Sequence, residues 1–215
     1  MKDLSFLIDF LPAYLFPNDE RTIGEWVLAG FSLGGHATWL ALRHGACAPV
    51  HHPYTYLHQI PPHNPVTIFL SRNYPLTTSI KIEPRIRIGI PICGCPDYLA
   101  LLEQRAERLG VPRSPPYFPA SLRALVRAND TVPATATAFA GKRMLVLAGA
   151  DDKLVPWETS RAFVEALDVG RGGRKVVMVV PGVKHEFTDG MKEEMFQFFW
   201  EEALVRGSAA LNCAL

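Results

Sequence analysis

The stretch Gly30-Phe31-Ser32-Leu33-Gly34-Gly35 decides the fold of this chain. It follows the apolar run 26–29 and precedes residues 36–42, whose apolar spacing predicts a helix. Strand, G-x-S-x-G and helix are the setting in which a serine sits on a sharp, strained turn, with small residues nearby so that the two backbones can approach. The N-terminus of such a helix directs free N–H groups at the serine, which makes the Leu33 N–H the candidate oxyanion donor. The same motif also fits a glycine-rich turn that cradles a phosphate.

Two later apolar stretches decide between these interpretations. Residues 143–148 form a continuous apolar run that is followed by Asp152, and residues 175–180 form another that is followed by His185. Continuous apolar runs are typical of strands buried on both faces of a parallel sheet. Open α/β sheets place their sites at the carboxyl ends of such strands. We therefore expect an acid and a histidine to lie beside Ser32.

The order Ser, Asp, His along the chain, with the motifs G-x-S-x-G-G, G-x-x-D-x-x-V-P and G-x-x-H, resembles the α/β-hydrolase superfamily. The segment 32–39, Ser-Leu-Gly-Gly-His-Ala-Thr-Trp, is similar to its esterase, dienelactone-hydrolase-like and prolyl-oligopeptidase-like branch. The resemblance covers roughly residues 1–45 and 81–205. It implies an α/β fold with a mostly parallel sheet of about four core strands, helices on both faces and a small helical lid insertion.

The resemblance also implies roles for the three residues. Ser32 attacks an acyl carbonyl, His185 takes and returns the proton, and Asp152 orients the imidazole. The spacing favours Asp152 over its neighbour Asp151. Residues 85–92 predict a further strand, and Asp97, which follows it, is an alternative acid and otherwise an N-cap for the next helix. We therefore predict a serine hydrolase of carboxylic esters or small acyl substrates, which needs neither a metal nor an organic cofactor.

The sequence departs from the family pattern at its start. About 25 residues precede Trp26, and they predict a helix over 3–15 but no strand, whereas α/β-hydrolases have several strands there. No His-Gly-Gly-type segment precedes Ser32, so Leu33 is the single oxyanion donor that the sequence identifies. Loss of one such donor typically lowers the rate by about 10²–10³. The alternative function is therefore a truncated hydrolase-like protein that is weak or inactive because it lacks the second donor.

Residues 1–215 predict a single α/β-hydrolase-like domain, with an irregular segment after the helix that follows Ser32. Residues 46–80 show no sustained periodicity and are interpreted as a disordered loop, an insertion or sequence retained by a faulty gene model. Within them, residues 66–70 are apolar and β-branched enough to pair as a short edge strand.

Residues 97–140 predict a second interruption, a lid-like helical insertion rich in proline. Tyr117 and Phe118 lie in this insertion and are the candidate substrate-binding residues, as walls of the pocket. The alternative is that both rings pack within the insertion.

Composition limits the classes of partner. The chain has 215 residues, 48% of them hydrophobic and 20% charged, with a formal net charge of +1. This balance gives no electrostatic reason to expect a nucleic acid or an anionic membrane as partner. Asp3, Asp9 and Pro12 interrupt the apolar N-terminus, which fits neither a signal peptide nor a membrane span, so a cytoplasmic location is expected. An open edge at strand 26–30 would favour a homo-oligomer.

Histidines and cysteines give no metal-binding pattern. Five of the seven histidines lie between residues 44 and 63 without interleaved cysteine or carboxylate ligands, so no metal site is predicted there. An interaction module built on this histidine- and proline-rich segment is a third hypothesis. Cys93 and Cys95 are interpreted as reduced thiols of the core or of the pocket wall.

Overall fold

The computed structural model describes residues 2–43, 66–71, 85–132 and 138–206, and for 2–3 and 66–71 the backbone only. The elements in chain order are α1 (Lys2–Leu15), β1 (Glu25–Phe31), α2 (Leu33–Arg43), β2 (Val66–Ser71), β3 (Ile86–Ile92), α3 (Tyr98–Arg108), α4 (Ala120–Ala128), β4 (Arg143–Gly149), α5 (Glu158–Ala166), β5 (Arg174–Val180) and α6 (Asp189–Phe199). A π-helical turn, Trp200–Val205, extends α6.

Five strands in the described part of the chain form one parallel sheet in the order β2-β1-β3-β4-β5. Four of them are the core strands that the sequence predicts. The fifth, β2, confirms the edge strand predicted at 66–70 and pairs with β1 from Glu25 opposite Val66 to Gly30 opposite Ser71. β2 therefore covers the edge of β1 that the sequence analysis left open. The rest of the 46–80 segment lies outside the described residues, and a homo-oligomer stays a prediction.

The central strands of the sheet are buried, as expected for strands covered on both faces. The run 175–180 is the exception, because β5 lies at an edge of the sheet, where none of its residues is buried and Val177 is 40% exposed. All seven residues of β4 are buried. One face packs against α1, α2 and α5 through side chains that include Ile8, Trp39 and Val164. The other face packs against α6 and the π-helical turn, with Met191, Met195, Phe198 and Ala203 in the core. The stripe of methionine and phenylalanine on α6 therefore stabilises the fold by burial of apolar surface.

Hydrogen bonds within the predicted insertion over 97–140 hold the first turn of its first helix, α3. Asp97 caps α3 by accepting a hydrogen bond from the Ala100 N–H at 2.9 Å. The buried carboxylate of Asp130 accepts two more, from the Tyr98 and Leu99 N–H groups, both at 2.9 Å. These bonds satisfy N–H groups that the first turn of a helix leaves without partners. The role of this insertion as a lid stays a prediction.

Among the helices of the described residues, none is both long enough and apolar enough to cross a membrane.

Gly30 leaves no room for a side chain where β1 passes α2. A Cβ atom at this position would lie 2.2 Å from the Gly34 carbonyl oxygen. Because the obstacle is backbone, we expect Gly30→Ala to lower the free energy of unfolding by about 3 kcal/mol or more, measured by chemical denaturation. Gly190→Ala is the matched control, because a Cβ there meets nothing within 4 Å and alanine favours the helix. An equal loss of stability in both variants would contradict this account.

Candidate active site

The serine lies on a strained turn between β1 and α2. Ser32 has a φ of 57°, in the left-handed region that residues with a side chain rarely adopt. Its N–H donates to the Ile92 carbonyl at 2.8 Å, and its own carbonyl accepts the His36 N–H at 3.0 Å. The turn is therefore held from β3 on one side and from α2 on the other, which keeps the hydroxyl at the carboxyl end of the sheet.

Leu33 is the first residue of α2. The N–H groups of a first turn have no carbonyl partner within their helix, and the positive end of the helix dipole lies there as well. This position suits a donor to an oxyanion that forms at Ser32. The oxyanion role of Leu33 stays a prediction.

The structure brings together the three residues that the sequence singled out. His185 Nε2 lies 2.8 Å from Ser32 Oγ, and His185 Nδ1 lies 2.6 Å from Asp152 Oδ2. With its proton on Nδ1, the imidazole donates to the carboxylate and accepts from the hydroxyl. The Asp152 side chain is 1% exposed and that of His185 is 15% exposed. The result is a continuous chain of hydrogen bonds from a buried carboxylate to the serine.

Asp152, among the candidate acids, is the one that contacts the histidine. Its second oxygen, Oδ1, accepts the backbone N–H groups of Leu154 at 2.8 Å and Val155 at 2.9 Å. These two bonds hold one carboxylate oxygen and leave the other for His185. Asp151 is exposed to solvent, and Asp97 is engaged as the cap of α3.

Phe31 contacts the site and was not predicted from the sequence. Its ring centroid lies 5.0 Å from that of His185 with an interplanar angle of 37°. It is the last residue of β1 and 37% exposed, after five buried positions in the same strand. The sequence signal that could have identified Phe31 was its position, because it is an apolar residue at the end of a buried strand and directly precedes the serine. The contact restricts the movement of the imidazole.

Cys93 lies in the core and also borders the site, which fits its interpretation from the sequence as a thiol of the core or of the pocket wall. Burial raises the pKa of its thiol to about 11, and the nearby Asp152 carboxylate adds to the rise. The thiol is therefore neutral at physiological pH and does not compete with Ser32 as a nucleophile.

The two predicted thiols, Cys93 and Cys95, are both free and buried, which confirms the interpretation of them as reduced. They follow β3 rather than lie on it, and their side chains join different clusters. The Cys95 thiol lies 3.0 Å from the Asp97 carbonyl oxygen.

His36, which follows Gly34 and Gly35, makes contacts that support the fold. Its ring packs against that of Tyr98 at 4.7 Å between centroids, and its Nδ1 is hydrogen-bonded to the Cys95 carbonyl. Burial lowers the pKa of His36, although the hydrogen bond to Cys95 and the carboxylates of Asp130 and Asp97 oppose the change. This neutral imidazole joins α2 to the start of α3.

Tyr117 and Phe118 lie in the turn between α3 and α4. Both donate their backbone N–H to the Ser114 carbonyl, and Tyr117 is 58% exposed. The Phe118 ring lies 5.8 Å below the Arg123 guanidinium. Among the described residues, no hydrogen bond or ring contact joins either side chain to Ser32 or His185. Their substrate-binding role stays a prediction.

Comparisons with known proteins identify the fold. Scans against protein-family models and curated proteins found no significant match. Among solved structures, an acylaminoacyl peptidase in complex with Z-Gly-Gly-Phe-chloromethyl ketone superposes with a TM-score of 0.53 at 15% identity, over 89% of this chain and 26% of its own. The uncomplexed acylaminoacyl peptidase of Pyrococcus horikoshii superposes with a TM-score of 0.52 at 14% identity, over 90% of this chain and 26% of its own. A puromycin hydrolase in complex with PGG superposes with a TM-score of 0.51 at 12% identity, over 88% of this chain and 23% of its own.

This chain spans about a quarter of the length of each of these proteins. At such low identity the likeness concerns the fold. The chain has a partial α/β-hydrolase fold, which confirms the partial fold predicted from the sequence.

Proposed function

We propose that this chain is a serine hydrolase that cleaves carboxylic esters or small acyl substrates through an acyl-enzyme intermediate. The observation that carries the proposal is the chain of hydrogen bonds from Asp152 through His185 to Ser32, at 2.6 and 2.8 Å. It is built on a serine with a positive φ at the start of a helix. A nucleophile, a base and a group that orients the base within hydrogen-bonding reach are the signature of covalent catalysis.

In the first step, Ser32 Oγ forms a bond to the acyl carbon while its proton moves to His185 Nε2. The imidazolium that forms is stabilised by the Asp152 carboxylate, which keeps its own charge. Collapse of the tetrahedral intermediate breaks the bond to the leaving alkoxide, which takes the proton from Nε2. The products are an ester of Ser32 and the free alcohol.

In the second step, water attacks the ester of Ser32, and His185 again transfers the proton. His185 takes a proton from the water as its oxygen attacks the acyl carbon, and Ser32 Oγ leaves with that proton. The carboxylic acid is released and the relay returns to its starting state. In both steps the negative charge develops on the acyl oxygen, where the Leu33 N–H and the dipole of α2 are suited to stabilise it.

Amide bonds are a second candidate substrate class. The proteins that share the fold are described as an acylaminoacyl peptidase and a puromycin hydrolase. The same relay cleaves an amide if His185 protonates the departing nitrogen. We place esters first because an ester leaving group needs less assistance from the acid.

Two substrates with the same acyl group distinguish these classes. We expect the full chain to hydrolyse a short p-nitrophenyl ester faster than the matching p-nitroanilide, with an initial burst of p-nitrophenol equal to the enzyme concentration if deacylation is slow. A fluorophosphonate is expected to label one residue, identified as Ser32 by peptide mass spectrometry. No turnover and no label from a folded, monodisperse protein would favour the alternative of a catalytically inactive hydrolase-like protein.

A further inference from the structure

Three potential metal ligands meet beside the serine. The Cys93 sulfur, a carboxylate oxygen of Asp152 and a ring nitrogen of His185 all lie within 4.8 Å of one another. They come from the carboxyl ends of β3, β4 and β5, so that the parallel sheet brings them to one edge. Thiolate, imidazole and carboxylate are the three ligand types that Zn²⁺ binds in proteins.

We propose that Cys93, Asp152 and His185 form an inhibitory binding site for Zn²⁺ and similar thiophilic divalent cations. An ion held there occupies the His185 nitrogen and the Asp152 oxygen that the proposed hydrolase needs for its proton relay. The inhibition therefore rests on the proposed function, whereas the binding of the ion does not.

The distances lie close to those of a zinc site. Bond lengths of about 2.0–2.3 Å around a tetrahedral Zn²⁺ place its ligand atoms about 3.3–3.6 Å apart. His185 Nδ1 and Asp152 Oδ2 are now 2.6 Å apart and hydrogen-bonded, so they must separate by about 0.7–1 Å to admit the ion. The sulfur lies within 4.8 Å of a ring nitrogen of His185 and of a carboxylate oxygen of Asp152, so it must approach each by about 1.5 Å at most. Small side-chain rotations suffice for these changes.

The surroundings hold the ligands in place before an ion arrives. Asp152 Oδ1 accepts two backbone N–H groups, which directs Oδ2 towards the histidine. The Cys93 N–H donates to the Leu147 carbonyl at 2.7 Å, and its thiol faces the Glu186 carbonyl at 3.7 Å. Phe31 packs against the imidazole. A pre-organised ligand set loses less conformational entropy on binding.

The charges balance when the ion is bound. The Cys93 thiol releases one proton to solvent and binds as thiolate, while the His185 proton moves from Nδ1 to Nε2 and leaves Nδ1 free to coordinate. Two positive charges then meet one thiolate and one carboxylate, so the buried site carries no net charge. Burial of an uncompensated charge, which would oppose binding, is thereby avoided. Water completes the coordination.

Binding is measured directly on the full chain with Zn²⁺ in equilibrium dialysis and with Co²⁺ by absorption, because thiolate ligation of cobalt gives a charge-transfer band in the near ultraviolet. We expect the cobalt band in the unchanged protein and its loss in Cys93→Ser and in His185→Ala. Both variants are also expected to bind Zn²⁺ at least about tenfold more weakly than the unchanged protein. Cys95→Ser is the matched control, because Cys95 is equally buried two residues away and contacts Asp97 and Thr159 instead. It is expected to behave like the unchanged protein.

Inhibition is measured as ester turnover against added Zn²⁺. We expect Cys93→Ser to need at least about tenfold more Zn²⁺ for half-inhibition than the unchanged protein or Cys95→Ser, with full recovery on chelation. Mg²⁺ at the same concentration is expected to have no effect, since it prefers oxygen ligands.

Two results would overturn the site. One is the absence of a cobalt–thiolate band in the unchanged protein, and the other is equal Zn²⁺ binding by the unchanged protein, Cys93→Ser and His185→Ala, which would assign the ion to other residues. If the protein has no esterase activity, the dialysis and cobalt measurements still decide the site, and the failure belongs to the proposed function alone. Circular dichroism of each variant checks that loss of binding is not loss of fold.

Discussion

Replacement of Ser32 by alanine is expected to lower kcat for a p-nitrophenyl ester by about 10⁴–10⁶, with KM changed little. The reason is that His185 Nε2, 2.8 Å from Oγ, then has no hydroxyl to deprotonate. Any remaining rate comes from binding and from stabilisation of the oxyanion. Initial rates over a range of substrate concentrations separate kcat from KM.

Two controls support the interpretation of the Ser32 variant. Ser160→Ala removes another buried serine hydroxyl, on α5, and is expected to keep kcat within about twofold. His185→Ala is expected to lose about as much activity as Ser32→Ala, and the double variant little more, since the residues of a relay act as one unit. Additive losses in the double variant would contradict the relay.

Replacement of Asp152 by asparagine is expected to lower kcat by about 10⁴ while the fold is retained. The amide oxygen can still accept the N–H groups of Leu154 and Val155, which now bond to Oδ1. The amide nitrogen would then donate to His185 Nδ1 and place the imidazole proton on Nε2, opposite Ser32. In that tautomer the imidazole cannot take the serine proton. The kcat of the folded variant, measured at several pH values, checks this result.

Asp151→Asn is the control for the Asp152 variant. Asp151 is adjacent in sequence but exposed to solvent, and we expect its amide variant to retain kcat within about twofold. If Asp151→Asn lost most of its kcat while Asp152→Asn stayed active, Asp151 rather than Asp152 would be the acid that orients His185.

The helices and core strands could be predicted because their patterns are local. The runs that became β1, β4 and β5 are almost continuously apolar, Arg87 interrupts the run that became β3, and glycine, proline or aspartate follows each of the four closely. Burial on both faces imposes such runs on parallel strands. The amphipathic spacing of residues 3–15 predicted α1, which extends from Lys2 to Leu15.

Contacts between distant segments could not be predicted in the same way. β2 pairs with β1 across a separation of about 40 residues, and no local pattern states which strand it joins or in which register. The position of Cys93 beside Asp152 and His185 depends on the order of three strands in the sheet. Asp130 caps α3 from a position 32 residues further along the chain.

The local sequence is enough to predict the sharp turn at Ser32 and to name the candidate acids and the histidine of the site. Gly30 is required by the backbone of Gly34, four residues along the chain, and the strand ends followed by Asp152 and His185 are visible in their own segments. It takes the folded chain to show that Asp152 rather than Asp97 meets His185, that Phe31 packs on the imidazole and that a third potential ligand, Cys93, lies beside them. The physical reason is range, because sterics and burial act between neighbours in sequence, whereas the hydrogen bond from Ser32 to His185 joins residues 153 positions apart through sheet order and register.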